Sequence, residues 1–464
     1  MTTKPFFIAA VGALSVMPAT AQKDITPQML QQFQNSYKSE GADKALDNAV
    51  AANDIKVLAL NNETMAQFDT EFSNKVNSKG VTNQRGSGRC WLFSGLNVLR
   101  AKMIAKYNLG AMEFSENYCF FYDQLEKSNL FLQAVIDNGK KPMDDRTVDW
   151  LFHNPLSDGG TFCGVADVVS KYGLVPSTVM PETFSSNSTG TYSMLLKTKL
   201  REYGLTLRKM IADGKSDKQV VAKKVEMLGV VYKMLVRCFG VPPQKFSYTL
   251  RNAAGKVIST KEYTPKSFYD EHIGIDLTDN YFMFMNDPSR DYYKTYEIDL
   301  DRHAYDGHNW VFLNVPMQDI KDMAISSIKD STMMYMSCDV GKCNDSKRGY
   351  SDPGVYNYGE IFGVDFPMDK KERISTFASA STHAMTLMAV DIDEQGKTKK
   401  WMVENSWGPS SGFKGHIIMT DKWLDEYLFR LVVAKKYVPA RLADMMKQKP
   451  ILLPAWDPLF QPEQ

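Results

Sequence analysis

Residues 84–91 read QRGSGRCW, a short loop of glycine and serine that ends on a cysteine and a tryptophan. Beyond this loop, apolar residues recur at helical spacing at Leu92, Leu96, Leu99 and Met103. The pattern predicts a helix that begins at Cys90 and ends near residue 108. Unpaired N–H groups and the helix dipole at such an N-terminus would stabilise a thiolate. The alternative is an inert buried cysteine, and the local sequence does not decide between the two.

Gln84 lies six residues before Cys90, at the other end of the glycine loop. If the loop folds back, the side-chain amide of Gln84 can donate a hydrogen bond to the oxyanion of a tetrahedral intermediate, beside the N–H of Cys90. The alternative is an ordinary solvated glutamine in a loop.

A catalytic thiol needs a base, and the chain has six histidines. His383 precedes the apolar run 384–392, and Asn405 follows the apolar run 400–404, with a turn-like stretch between the two runs. An antiparallel hairpin would bring His383 and Asn405 to the same end. Asn405 could then orient the imidazole, and Trp407 could shield their hydrogen bond from water.

The remaining pattern is mostly helical first and mostly extended later. Helices are predicted over residues 22–75, 114–137 and, as a hairpin broken at 213–217, 192–238. Short apolar segments predict strands at Tyr281–Met285, Val311–Val315 and Met333–Cys338. This order predicts an α+β protein with two packed halves and a cleft between them.

The motifs QRGSGRCW, STHAM (381–385) and ENSWG (404–408) together resemble the papain superfamily of cysteine peptidases. Four further stretches point to the bleomycin hydrolase and aminopeptidase C branch, and the likeness runs from about residue 75 to the end. They are DGGTFCGVADVVSKYGLVPSTVMPET (158–183), CDVGK (338–342), NSWGPSSGFKG (405–415) and PILLPAWDP (450–458).

The resemblance implies a role for each residue that matches the motifs. Cys90 would be the nucleophile, His383 the general base and acid, and Asn405 the residue that orients His383. Gln84 would be the oxyanion donor. The backbone at Gly159 and Gly160 would pair with an extended substrate.

The resemblance also implies the architecture, a papain-like two-lobed fold with a helical insertion, a C-terminal arm in the cleft and a hexameric assembly. The implied segments are an N-terminal arm (22–75), a helical lobe (76–190), an inserted helical region (191–245), a β-rich lobe (246–440) and the arm (441–464).

The C-terminal arm decides which bond of a peptide is cut. If the carboxylate of Gln464 pairs with the α-ammonium of a peptide substrate, only one residue fits before the scissile bond, and the enzyme is an aminopeptidase. The tail LFQPEQ (459–464) departs from the small-residue ending typical of the family. An endopeptidase with a displaced arm and a catalytically silent peptide-binding protein therefore remain as alternatives.

Residues 1–21 match a secretory signal peptide, with Lys4, an apolar run over 6–17 and the small triplet 19–21. We therefore expect export to a periplasm or beyond, with no membrane span after the signal is removed. The remaining 443 residues carry 54 basic and 54 acidic side chains, a net charge of zero. That balance does not support binding of nucleic acid.

Six cysteines are too few for a disulfide scaffold in a chain of 464 residues, although Cys338 and Cys343 could pair. The sequence has no H-E-x-x-H motif, and these two cysteines lack a second ligand pair at metal-site spacing. We expect neither a metal nor a cofactor.

Overall fold

The computed structural model describes residues 24–37 and 39–460, with the backbone alone at Phe460. The predicted signal peptide and Gln464 lie outside the described residues. The chain divides into two compact units. One comprises the residues up to Leu60 with Tyr358–Gly363, and the other comprises Asn61–Asn357 with the residues from Val364 onward.

The described residues form eighteen α-helices and fourteen strands. The helices are α1 (Pro27–Ser36), α2 (Ala42–Ala52), α3 (Ile55–Leu58), α4 (Asn62–Met65), α5 (Cys90–Tyr107), α6 (Glu116–Asp137), α7 (Arg146–His153), α8 (Phe162–Tyr172), α9 (Phe184–Asn187), α10 (Gly190–Ala212), α11 (Asp217–Phe239), α12 (Pro265–His272), α13 (Leu277–Asn280), α14 (Met317–Lys329), α15 (Tyr358–Phe362), α16 (Lys370–Ser375), α17 (Asp421–Tyr427) and α18 (Ala440–Met445). The strands are β1 (Asn74–Lys75), β2 (Phe246–Arg251), β3 (Val257–Tyr263), β4 (Tyr281–Met285), β5 (Thr295–Ile298), β6 (Val311–Asn314), β7 (Met334–Cys338), β8 (Asn344–Asp345), β9 (Tyr350–Ser351), β10 (His383–Ile392), β11 (Thr398–Glu404), β12 (His416–Thr420), β13 (Leu428–Ala434) and β14 (Ile451–Leu453).

The smaller unit consists of α1, α2, α3 and α15 with their connections. Thr26 caps α1 by accepting a hydrogen bond from the N–H of Met29 (3.3 Å), and Asp54 caps α3 in the same way through Lys56 (2.8 Å). These side-chain acceptors satisfy N–H groups that the first turn of a helix leaves unpaired.

The helical half of the larger unit is built around α5, α6 and α8. As predicted, α5 begins at Cys90, and it ends where Asn108 takes a left-handed backbone conformation (φ 47°). The predicted apolar stripe of α5 is buried in one hydrophobic core with α6, α8 and the α10–α11 hairpin. The hairpin was predicted from the break at 213–217, and the structure places that break between Ala212 and Asp217.

The other half is a twelve-stranded sheet. Its strand order is β14-β5-β6-β4-β13-β7-β10-β11-β12-β9-β8, and β1 pairs with β10 as well. The predicted hairpin is present as β10 and β11, and the predicted strands before it are β4, β6 and β7. Helix α5 packs against strand β10, and Cys90 at the start of α5 lies beside Ala384 near the start of β10.

The chain ends as an arm along the edge of this sheet. Strand β14 pairs in parallel with β5, and Leu459 is completely buried. Asp457 pairs with Arg290 (2.5 Å), and the guanidinium of Arg146, at the start of α7, lies 4.3 Å from the ring of Trp456. The arm is therefore fixed up to Leu459 by a strand, an ion pair and a ring contact. The predicted domain boundaries stay predictions.

All six cysteines lie within the described residues, and all are free, so Cys338 and Cys343 do not pair. Cys338 is buried in β7, where its Cα faces that of His383, and the sulfur of Cys343 lies 3.5 Å from the hydroxyl of Tyr427. None of the described helices is long and apolar enough to cross a bilayer.

Candidate active site

The imidazole of His383 and the amide of Asn405 form the centre of the site. His383 Nε2 lies 2.8 Å from Asn405 Oδ1, and both residues are buried. Because an amide oxygen only accepts, Nε2 carries the proton and Nδ1 is the ring nitrogen left to accept one. The N–H of Ser406 donates to the same Asn405 oxygen (2.8 Å), which holds the amide in this orientation. The ring of Trp407 lies 4.8 Å from that of His383 and covers it.

Cys90 lies at the first position of α5, next to the start of β10. The backbone N–H groups of Ala384 and Trp91 lie close enough to the Cys90 sulfur to favour its thiolate form. Ala384 directly follows His383 in β10, so the thiol is held beside the histidine strand. Residues almost 300 positions apart in the chain therefore lie close together at the starts of α5 and β10.

Burial disfavours the charged form of both reacting groups. It raises the pKa of the Cys90 thiol, while the N–H groups of Ala384 and Trp91 oppose that effect, and the charge of Asp158 adds to it. Burial also lowers the pKa of His383 to about 4, and the hydrogen bond with Asn405 opposes this. A proton passed from the thiol to the imidazole leaves the net charge of the site unchanged, and the two resulting charges attract each other. A joint transfer therefore avoids leaving a single uncompensated charge in the buried site.

Gln84 is buried and held at both ends of its amide. Its Nε2 donates to the main-chain oxygen of Ser87 (2.6 Å), and its Oε1 accepts from the hydroxyl of Ser406 (2.6 Å). A side-chain amide nitrogen has two N–H groups, and the bond to Ser87 uses one of them. The amide is therefore fixed in the loop before Cys90 rather than solvated, as an oxyanion donor requires.

The loops that carry Gln84 and Asn405 are paired through their backbones. The N–H of Gln84 donates to the oxygen of Ser406 (2.7 Å), and the N–H of Gly408 donates to the oxygen of Thr82 (3.0 Å). A side chain at Gly408 would clash with Asn83, since a Cβ there would lie 2.5 Å from Asn83 Nδ2. Glycine at position 408 therefore allows the two loops to approach.

Gly159 and Gly160 directly follow Asp158, whose main-chain oxygen accepts a hydrogen bond from the indole N–H of Trp91 (2.9 Å). Gly159 is already engaged, because its N–H binds Ser157 Oγ (3.0 Å) and its oxygen accepts from Lys127 (2.7 Å). Within the described part of the chain, the N–H and C=O of Gly160 make no hydrogen bond. Of the two predicted glycines, Gly160 is thus the one whose backbone suits pairing with an extended peptide.

Two contributors to the site were not predicted. Ser406 links Gln84 to the Asn405 loop, and Asp158 accepts hydrogen bonds from Gly88 N (2.7 Å) and Thr189 Oγ1 (2.5 Å). Both lie inside the quoted motifs, directly beside predicted residues. Their contacts join segments that are 31 to 322 residues apart, and no local pattern indicates such contacts.

Gln464, the predicted partner of the substrate α-ammonium, lies outside the described residues. The described residues contain no group of three or more His, Cys, Asp or Glu side chains that could hold a metal ion.

Known proteins are similar to this chain over most of its length. The Peptidase C1-like family matches residues 24–460. Aminopeptidase C of Lactobacillus delbrueckii subsp. lactis is 34% identical over 94% of this chain and 98% of its own length. Human bleomycin hydrolase is 36% identical over 89% of this chain and 93% of its own length.

Among solved structures, PepW from Lactobacillus rhamnosis HN001 superimposes with a TM-score of 0.91 at 36% identity. The match covers 94% of this chain and 99% of PepW. The predicted α+β, papain-like fold is therefore confirmed.

Proposed function

This chain belongs to the Peptidase C1-like family, and from that premise we propose that it is a cysteine aminopeptidase that removes N-terminal residues from peptides. The observation that carries the proposal is the meeting of the Cys90 thiol, the His383 strand and the Asn405 amide in one place. Relatives named aminopeptidase C, at 34% and 35% identity over 94% of this chain, support the exopeptidase assignment.

Acyl transfer proceeds in two halves. In the first, Nδ1 of His383 takes the thiol proton while the sulfur of Cys90 attacks the carbonyl carbon of the scissile bond. The N–H of Cys90 and the second amide N–H of Gln84 stabilise the oxyanion. His383 then gives its proton to the leaving amine, and a thioester at Cys90 remains.

In the second half, water replaces the amine. His383 removes a proton from the water as the water attacks the thioester, and it returns that proton to the sulfur as the amino acid leaves. The Asn405 amide keeps Nε2 protonated throughout, so the same ring nitrogen, Nδ1, serves both halves.

The C-terminal arm is the feature that supports removal of single residues. Strand β14 and the buried Leu459 fix the arm up to residue 459. We propose that residues beyond it bring the carboxylate of Gln464 to the α-ammonium of the substrate. An endopeptidase with a displaced arm is the alternative.

Blocked substrates separate these two activities. We expect acetylation of the N-terminus of a peptide arylamide to lower kcat/KM at least about 100-fold, because the acetylated substrate has no α-ammonium for an anion to bind. The measurement compares free and acetylated forms of the same peptide. Removal of Gln464 should reduce the difference in kcat/KM between the free and the acetylated substrate. Equal kcat/KM values for both substrates with the full chain would indicate an endopeptidase.

We also propose that the protein is exported and that cleavage after Ala21 leaves Gln22 as the mature N-terminus. The support is the charged, apolar and small-residue pattern of residues 1–21. The mass of the protein recovered from the extracytoplasmic fraction tests this, and an intact N-terminus in that fraction would contradict it.

A homohexamer is the assembly that we propose. The α10–α11 hairpin carries exposed apolar side chains, among them Leu195 (54% exposed) and Val225 (60% exposed), which is typical of a surface covered by another subunit. Light scattering should give six times the mass of the chain, and a monomeric mass would refute the proposal.

A further inference from the structure

Asp158 connects the loop before Cys90 to the residue before helix α10. Its Oδ2 accepts hydrogen bonds from the backbone N–H of Gly88 (2.7 Å) and from the hydroxyl of Thr189 (2.5 Å). Its main-chain oxygen accepts from the indole N–H of Trp91 (2.9 Å). One residue therefore holds the chain two positions before Cys90 and one position after it.

The contact with Gly88 is close as well as polar. A Cβ at position 88 would lie 2.4 Å from Asp158 Oδ1, so only glycine allows the carboxylate to approach the loop this far. The segment that carries Thr189 is joined to the same loop through its backbone, because Gly86 N donates to Asn187 O (2.9 Å) and Thr189 N donates to Gly86 O (3.2 Å). Asp158 thus completes a connection from the α10 start to the turn before Cys90.

A carboxylate that lies near the thiol is an unfavourable group if its only role is to hold the loop in place. The Asp158 carboxylate binds two neutral donors, Gly88 N–H and the Thr189 hydroxyl, and its negative charge acts on the nearby Cys90 thiol. In return, hydrogen bonds to a carboxylate are stronger than those to a neutral acceptor, so the loop is held more firmly. The backbone N–H of Cys90 would bind the oxyanion. It lies two residues after the Gly88 N–H that Asp158 binds, so the hydrogen bond to Gly88 also restricts its position.

We propose that Asp158 is a positioning residue for the nucleophile: its carboxylate fixes the turn before Cys90, and its main-chain oxygen fixes the indole ring after it. The inference rests on the proposed function of Cys90. Asp158 acts on the reaction through the placement of the sulfur and of the oxyanion-binding N–H. Because a displacement of about 1 Å in an active site can cost about 100-fold in rate, the effect should appear in kcat.

The competing interpretation is a substrate subsite. Asp158 also borders a cavity of about 320 Å³ that is lined by Thr189, Ser193, Lys197 and Arg201 among others. A subsite carboxylate would contact the substrate, and its removal would raise KM or change the preferred residue. A positioning carboxylate would lower kcat with KM nearly unchanged.

Two substitutions test the proposal. We expect Asp158→Ala to lower kcat on an aminoacyl arylamide about 100-fold with KM within about twofold. Asp158→Asn keeps an oxygen acceptor but removes the charge, and we expect kcat within about tenfold of the wild type. Asp270→Asn is the matched control, because Asp270 is an exposed aspartate that pairs with Lys266.

A second measurement needs no substrate and no turnover. The rate of Cys90 alkylation by iodoacetamide, followed against pH, reports the titration of the thiol in each variant. In Asp158→Asn the midpoint should move to lower pH, because a negative charge that opposes thiolate formation is gone. In Asp270→Asn it should stay in place.

The outcomes separate the alternatives. Wild-type kcat in both variants, or a rise in KM as the main effect, would overturn the positioning role. If Asp158→Ala does not fold, the kinetics of Asp158→Asn decide, and a raised KM with unchanged kcat in that variant overturns the role. If the wild type does not hydrolyse aminoacyl arylamides, the proposed function fails, while the alkylation midpoint still shows whether the charge of Asp158 acts on the Cys90 thiol.

Discussion

Substitution of Cys90 by alanine is expected to lower kcat on aminoacyl arylamides by about 10⁴-fold or more while leaving the fold intact. The sulfur forms the covalent bond in the proposed mechanism, and no other group can replace it at the start of α5. The neighbouring Trp91 and Leu92 are completely buried and remain unchanged, so the core should not rearrange. Steady-state kinetics of the purified variant measures kcat, and circular dichroism shows whether the fold is intact.

Cys238→Ala is the matched control. Cys238 is a free, partly exposed cysteine on α11, and its sulfur has no role in the proposed site. We expect this variant to keep wild-type turnover and to be labelled at Cys90 by iodoacetamide. Turnover of Cys90→Ala within tenfold of the wild type would refute the proposed mechanism, and so would identical labelling of the wild type and Cys90→Ala.

The parts of the site that were predictable are those with a local signal. The glycine loop ending at Cys90 combines a turn composition with the start of a 3.6-residue period, and the structure begins α5 at that residue. The β10–β11 hairpin combines two apolar runs with a turn, and its register brings His383 and Asn405 together. In both cases the sequence pattern and the element that it predicts lie within fewer than 25 consecutive residues.

The parts that were not predictable depend on contacts between distant segments. The position of β14 beside β5, at the far end of a twelve-strand sheet, follows from packing rather than from any pattern in its three residues. The Asp-Gly-Gly sequence at 158–160 is typical of a turn and gives no sign of the partners of Asp158. Its partners Gly88 and Thr189 become visible only when the loops are folded against each other.

The pKa directions add a further point that the sequence did not show. The position of Cys90 at a helix N-terminus predicted a stabilised thiolate, and the N–H of Trp91 does act in that direction. Burial of the thiol is the larger effect and raises its pKa. Because burial also lowers the pKa of His383, activation of the sulfur depends on the geometry of the pair more than on the helix dipole.

A buried ion pair connects the nucleophile helix to the strand that ends before Asn405. Arg100, on α5, binds the carboxylate of Glu404, the last residue of β11, and both side chains are almost completely buried. The hydroxyl of Ser78 donates to the second oxygen of Glu404 (2.5 Å). The pair therefore crosses from the helical half to the sheet directly beside the residue that orients His383.

We expect Arg100→Met to lower the free energy of unfolding by about 3 to 5 kcal/mol, because it leaves the Glu404 carboxylate buried without its cation. Urea denaturation followed by tryptophan fluorescence measures this loss. The double variant Arg100→Met/Glu404→Leu removes both charges and should recover most of it. A single variant as stable as the wild type would show that the pair contributes little.

The loss in Arg100→Met should also depend on pH. Burial already raises the pKa of Glu404, and Arg100 opposes that effect, so without Arg100 the folded-state pKa should rise further. Between the unfolded pKa, about 4.5, and the folded one, the native state of the variant binds more protons than the unfolded state. Its stability therefore increases as pH falls, and the deficit against the wild type should be smaller at pH 5.5 than at pH 8. A deficit that is constant across this range would mean that Glu404 is not the charge left unpaired, and that the loss in Arg100→Met comes from packing alone.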